Sequence, residues 1–157
     1  MDRSVTGRTD TGSRIIRASP QAIYDAFIDP EIQARWLPPE GMTGKFDAFE
    51  PWPGGRYRMT LTFTGAHATT GKTSADADTV EGRLVELIPG ERIVQTAGFE
   101  SDDPAYAGTM TMTWTLQAVP EGTEVTITAR DVPSGISAED HARGLASTLA
   151  NLAAFLE

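Results

Sequence analysis

The chain has 157 residues and no cysteine. That excludes disulfides, thiolate metal sites and a cysteine nucleophile. It is compatible with a reducing cytoplasm, where the protein is expected to reside. Histidine is nearly absent, with His67 and His141 alone. Two histidines so far apart, with no matching carboxylate pattern, predict no metal site. Asp76 and Asp78 alternate, which is too little for a calcium loop. Positive charge is also scarce: 13 Lys and Arg stand against 22 Asp and Glu, a formal charge of −9. No basic block exists to neutralise phosphates, so nucleic-acid binding is not expected. Attachment to an anionic membrane is disfavoured for the same reason. No segment holds the roughly 18 consecutive apolar residues of a membrane span, so no stable insertion is expected. The first residues are polar, without the apolar stretch of a secretory signal.

What is present is pattern. Residues 1–12 read as a polar tail and residues 13–157 as one domain. Ser13–Ala18, with Ile15 and Ile16, is the first predicted strand. Ser19-Pro20 starts a helix, because Ser caps and Pro suits the first helical position. Asp29-Pro30 repeats the signal for a second short helix that carries Ile32, Trp36 and Leu37. Strand patterns follow at Met42–Phe49, Arg56–Phe63, Thr79–Ile88, Arg92–Phe99, from Met110 and around Val125. They are separated by Gly and Pro turns, except for a long loop from Thr64 to Asp78. Tyr57, Met59, Leu61 and Phe63 alternate with Arg56, Arg58, Thr60 and Thr62. Met110, Met112, Trp114 and Leu116 alternate with threonines. The chain closes on one long amphipathic helix within Ser134–Glu157. Leu145, Leu149, Leu152 and Leu156 share a face, and Ser137 with Asp140 forms a capping-box-like start. One strand, two helices, about six strands and a long helix make an α+β arrangement with helices on one face of a curved antiparallel sheet.

The order and its local words resemble the START-like (SRPBCC) superfamily, with its helix-grip fold. Within it the chain looks like the branch related to the activator of heat-shock-protein-90 ATPase. The matching words run from Ser19-Pro20 through Phe27, Asp29-Pro30-Glu31 to Arg35-Trp36 and Pro53-Gly54-Gly55-Arg56-Tyr57-Arg58. They continue through Glu81–Pro89 with Glu91–Val94, Gly122-Thr123-Glu124-Val125-Thr126 and Gly144–Leu156. One departure stands out: family members often place Trp directly after that final Gly, and here it is Leu145.

The resemblance implies a cleft between the sheet and the closing helix. Its walls are expected from Trp36, Tyr57, Met59, Leu61, Phe63, Phe99, Met110, Met112, Trp114, His141, Leu145 and Leu149. A Met-rich apolar wall suits varied hydrophobic ligands. The same residues also suit a filled core, and the sequence leaves both readings open. Leu in place of Trp at 145 either enlarges the pocket or is compensated by Trp114 and Phe99. Polar candidates are few: His67 in the long loop, His141 near the start of the closing helix, and the phenols of Tyr24, Tyr57 and Tyr106. None has an evident catalytic partner. Arg56 and Arg58 fall on the opposite face from Tyr57. Ser147 and Thr148 read as helix-packing residues.

Three functions follow as expectations. The first is binding of a small hydrophobic or aromatic molecule, lipid-like or polyketide-like, in the cleft. The second, implied by the family name alone, is a stress-response interaction domain with a chaperone as partner. The third is a cyclase or aromatase in the same cavity. No cofactor is implied, and both a monomer and a homodimer are compatible with the sequence.

Overall fold

The computed structural model describes residues 8–38, 42–63, 77–99, 104 and 108–157, with backbone alone at 63, 77 and 78. In chain order the elements are β1 (Thr9–Ile16), α1 (Pro20–Ile28), α2 (Pro30–Trp36), β2 (Met42–Phe49), β3 (Gly55–Phe63), β4 (Ala77–Ile88), β5 (Arg92–Phe99), β6 (Met110–Val119), β7 (Gly122–Arg130) and α3 (Ala138–Leu156). Strands β2 to β7 form an antiparallel meander, and β1 returns to pair with β7, giving the order β1-β7-β6-β5-β4-β3-β2. The curved sheet, the closing helix and the two short helices after β1 make a helix-grip fold.

Local chemistry sets the helix boundaries. Ser19 Oγ accepts from the Ala22 amide at 3.1 Å and starts α1. Asp29 closes α1 and opens α2, its Oδ1 accepting from Glu31 N at 3.0 Å and Ile32 N at 3.4 Å. Ser137 Oγ accepts from Asp140 N at 3.0 Å, and α3 therefore begins at Ala138. Each such cap satisfies an otherwise orphaned amide and contributes about 1 kcal/mol. At about 1.5 Å per residue, the 19 residues of α3 span about 28 Å.

The core lies where α1, α2 and α3 meet the concave face. Phe27, Trp36 and Trp114 form an aromatic triangle with centroids 5.2 Å apart for Phe27–Trp114, 5.8 Å for Trp36–Trp114 and 6.4 Å for Phe27–Trp36. The Trp36 Nε1–H donates to the Ala26 carbonyl at 3.0 Å, which satisfies its buried polar end. This triangle fastens α1 and α2 to β6. On the other flank, α3 packs on β1 and buries Leu149 and Leu152 with Ile16, Val125 and Ile127. Gly12 permits the close approach, since a Cβ there would stand 3.1 Å from Leu145 Cβ. At its end the helix is tied back by Arg17 N, which donates to Glu157 Oε2 at 3.0 Å.

The start of β1 differs most from the sequence reading, and β4 begins at Ala77, two residues before the expected Thr79. Strand β1 starts at Thr9 rather than Ser13 and pairs with β7 over its whole length, from Thr9 opposite Arg130 to Ile16 opposite Thr123. Residues 9–12 therefore belong to the sheet, not to a tail. Their inner face carries Asp10 and Gly12 instead of apolar side chains, so no hydrophobic alternation announces the strand.

Candidate functional site

Strand register assembles a concave apolar wall. Phe46 of β2 lies opposite Met59 of β3, Met59 opposite Val80 of β4, and Val80 opposite Phe99 of β5. A second row runs Gln95–Met112–Ala129–Asp10 across β5, β6, β7 and β1. Side chains alternate across a strand, so each row faces α3 as a unit. Between this wall and α3 lies a cavity of about 410 Å³. Helix α3 forms its roof through His141, Gly144, Leu145 and Thr148, while Gln33, Leu37 and Phe27 close one end. A Cβ built at Gly144 would meet nothing within 4 Å, so α3 presents open backbone there.

Of the residues expected to line the cleft, Tyr57, Met59, Leu61, Phe99, Met110, Met112, Trp114, His141 and Leu145 do so. Trp36 and Leu149 do not. Trp36 is packed against Phe27 and Trp114 in the aromatic triangle, and Leu149 belongs to the core under α3; each is only 1 % exposed. The side chain of Phe63 lies outside the described residues, as do His67, Asp76 and Tyr106. Arg58 sits on the other face and pairs with Asp47 at 2.9 Å. Open space of about 410 Å³ lies beneath α3. Its walls also include Gln33, Phe46, Phe49, Val80 and Gln95, which the sequence did not single out.

Three polar groups at the wall, Tyr57, Gln95 and Thr148, are held by the protein itself. The Tyr57 hydroxyl donates to the Thr96 carbonyl, and burial pushes its phenol pKa well up, opposed by a weaker hydrogen bond with Gln95. Gln95 Oε1 accepts from Trp114 Nε1 at 3.0 Å. Thr148 Oγ1 donates to the Leu37 carbonyl at 3.1 Å, and Asn151 Nδ2 donates to the Pro38 carbonyl at 2.9 Å. These last two bonds tie α3 to the end of α2 and fix the cavity's width at that point.

At the opposite end stands a hydrogen-bonded trio that joins β1 to α3. His141 Nδ1 and Asp10 Oδ2 are 2.7 Å apart, and Arg8 Nη2 donates to the same oxygen at 2.9 Å. Partial burial alone would raise the Asp10 carboxyl. The hydrogen bonds and charges of Arg8 and His141 outweigh it and hold the group below the usual carboxylate value. Asp10 was hidden in the sequence because its partner is 131 positions away. Among the described residues no group of three or more His, Asp or Glu side chains is placed to hold a metal ion. No helix among them is long and apolar enough to cross a membrane.

The sequence profile described as "Activator of Hsp90 ATPase homolog 1-like protein" matches residues 17–157. The chain belongs to this family. A protein of Chromobacterium violaceum with a crystal structure is 34 % identical, with a TM-score of 0.82, 95 % of this chain and 97 % of that chain being covered. Two more distant structures share the fold. One, from Rhodobacter sphaeroides, is 21 % identical with a TM-score of 0.78, covering 98 % of this chain and 93 % of its own. The other, an AHSA1 protein from Silicibacter pomeroyi, is 17 % identical with a TM-score of 0.75, covering 94 % of this chain and 96 % of its own. No curated protein matches the sequence. Membership of the Hsp90 ATPase activator homologue family accounts for the order of elements.

Proposed function

We propose that the protein binds a small hydrophobic or aromatic molecule in the cleft between the sheet and α3. The observation that carries this reading is the cavity of about 410 Å³ with a predominantly apolar, aromatic and Met-rich wall. Its volume falls in the range of about 300–1,000 Å³ typical of ligand pockets. A soluble core of this size would otherwise be close-packed. Phe46 and Phe49 stand edge to face at 5.0 Å and, with Phe99 and Trp114, offer flat surfaces to a flat ligand. Met59, Met110 and Met112 supply adaptable contacts between them.

Binding is favoured over catalysis by the state of the polar groups. Tyr57, Gln95 and Thr148 each spend a hydrogen bond inside the protein. Among the described residues, no hydrogen bond at the wall sets a nucleophile against a base, which is what covalent catalysis would need. The chaperone reading calls for an exposed patch rather than a deep pocket. The large apolar residues that are exposed, Ile15, Trp52, Val85 and Phe155, lie on four different segments. The cleft therefore carries the proposal.

The test is a thermal-shift screen of the purified protein against fatty acids, sterols, flavonoids, aromatic polyketides and nucleotides. A ligand present at about 100 times its Kd adds about 2.7 kcal/mol. For a domain of this size that raises Tm by roughly 5–10 °C. A shift confined to an apolar or aromatic class supports the reading; no shift with any of them rejects it.

A further inference from the structure

Gln33 is the polar group of the cavity wall that the protein leaves unsatisfied. It is 2 % exposed and lines the cavity, and its Oε1 is buried with no hydrogen-bond partner among the described residues. The backbone of Gln33 is fully engaged, its N–H donating to Asp29 O at 2.8 Å and its carbonyl accepting from Leu37 N at 2.9 Å. The side-chain amide alone remains. A buried acceptor without a donor is costly, and such groups in folded proteins normally have a partner.

Position makes this orphan informative. Gln33, Trp36 and Leu37 fall at i, i+3 and i+4 of the α2 turn, so they share one face. Trp36 fills the core, and Gln33 and Leu37 reach the cavity. A hydrophobic residue of similar length at 33 would have packed there without penalty. The site is also closed by the Thr148–Leu37 and Asn151–Pro38 hydrogen bonds, which keep α3 and α2 together. His141 and Thr148, seven residues apart on α3, place the Arg8–Asp10–His141 trio roughly 10 Å from the Gln33 end. The cavity thus has a neutral hydrogen-bonding end, an apolar and aromatic middle and a charged end.

Resting on the cleft-binding reading, we propose that Gln33 is the polar anchor of the site. Its ligand is an aromatic molecule bearing a hydroxyl, which donates to Gln33 Oε1 while the ring system lies among Phe46, Phe99 and Trp114. The terminal torsion of a glutamine is broad and roughly two-fold, so rotation about it can turn the oxygen toward a donor in the cavity. The amide offers both an acceptor oxygen and an N–H donor, and a hydroxyl, which donates and accepts, matches it more fully than a carboxylate, which only accepts. A hydroxyl also fits better than a pure hydrocarbon, which would leave the amide unpaired. Recognition by a buried polar group discriminates strongly, because the analogue that lacks the donor leaves that group unpaired.

The test uses 2-naphthol, 2-methoxynaphthalene and naphthalene as matched probes, titrated calorimetrically against the wild-type protein, Gln33→Leu and Gln33→Met. The expected result is a preference of roughly five- to hundredfold for 2-naphthol over 2-methoxynaphthalene in the wild type. That preference falls to about one or reverses in both variants, while naphthalene binds them at least as tightly as it binds the wild type. Thermal melts of the two variants show that they fold, and Gln33→Met keeps the length of the side chain should the shorter leucine perturb α2. An equal preference in wild type and variants overturns the anchor, as does no preference in the wild type. If no naphthalene probe binds while another apolar compound shifts Tm in the screen above, the hydroxyl-aromatic assignment alone fails. If nothing apolar binds at all, the cleft reading fails and this inference with it.

Discussion

The hydrogen bond between Trp114 Nε1 and Gln95 Oε1, 3.0 Å long and buried, joins β6 to β5 in the cavity wall. Its energetic weight can be isolated by a double-mutant cycle. Trp114→Phe keeps an aromatic ring in the triangle with Phe27 and Trp36 but removes the indole donor. It should cost about 2–4 kcal/mol, from lost volume and from an orphaned Gln95 oxygen. Gln95→Leu leaves the indole N–H unpaired and removes the weaker bond to Tyr57, whose hydroxyl keeps the Thr96 carbonyl. Its expected cost is about 1–3 kcal/mol. In the double variant neither partner is orphaned, so its loss should be smaller than the sum of the single losses by about 1–3 kcal/mol. Urea unfolding followed by circular dichroism measures all four proteins, with unchanged m values validating the comparison. Additivity within about 0.5 kcal/mol would refute the idea that this pair stitches the wall.

Other outcomes follow from the same geometry. Because Asp10 is held below its usual value, its ion-pair stabilisation is fully present above the unfolded carboxyl pKa of about 3.9 and is lost as pH falls through the lower folded value. Asp10→Asn should therefore lower Tm most above about pH 4, and its deficit should shrink between about pH 4 and pH 2; a deficit independent of pH would contradict the assignment. Gly144→Ala adds a methyl toward open space and removes a helical glycine, so denaturant unfolding should show a gain of about 1 kcal/mol. Loss of stability there would mean that the roof of the cavity is closed.

Much of this architecture is written in local pattern. The alternation of Met110, Met112 and Trp114, and of Tyr57, Met59 and Leu61, places these side chains on the concave face, where the structure has them. Caps at Ser19, Asp29 and Ser137 mark three helix starts. The parts that escaped depend on irregularity or distance. Phe46 and Phe49 both line the cavity although a spacing of three should put them on opposite faces. A bulge between Phe46 and Ala48 restores the face, and no residue type there announces it. Gln33 was overlooked on a helix read through its apolar residues, yet its i, i+3, i+4 relation to Trp36 and Leu37 was a usable signal. Trp36 and Leu149 were expected at the wall because size and apolarity mark burial but do not separate core from cavity lining. Asp10 and His141 meet only because β1 crosses back beside β7 under α3.

The central claim is that open space under α3 takes up an apolar ligand, and Leu145 is the position that tests it. Leu145 is 4 % exposed and lines the cavity. Leu145→Trp should occupy the space from inside. The decisive measurement is the affinity of the best apolar ligand from the thermal-shift screen for wild type and Leu145→Trp, read by calorimetry alongside urea unfolding of both. The account predicts that binding falls by tenfold or more while the variant stays within about 1 kcal/mol of wild-type stability, since the ring fills a void. Unchanged affinity, or an overpacking loss beyond about 3 kcal/mol, would contradict it.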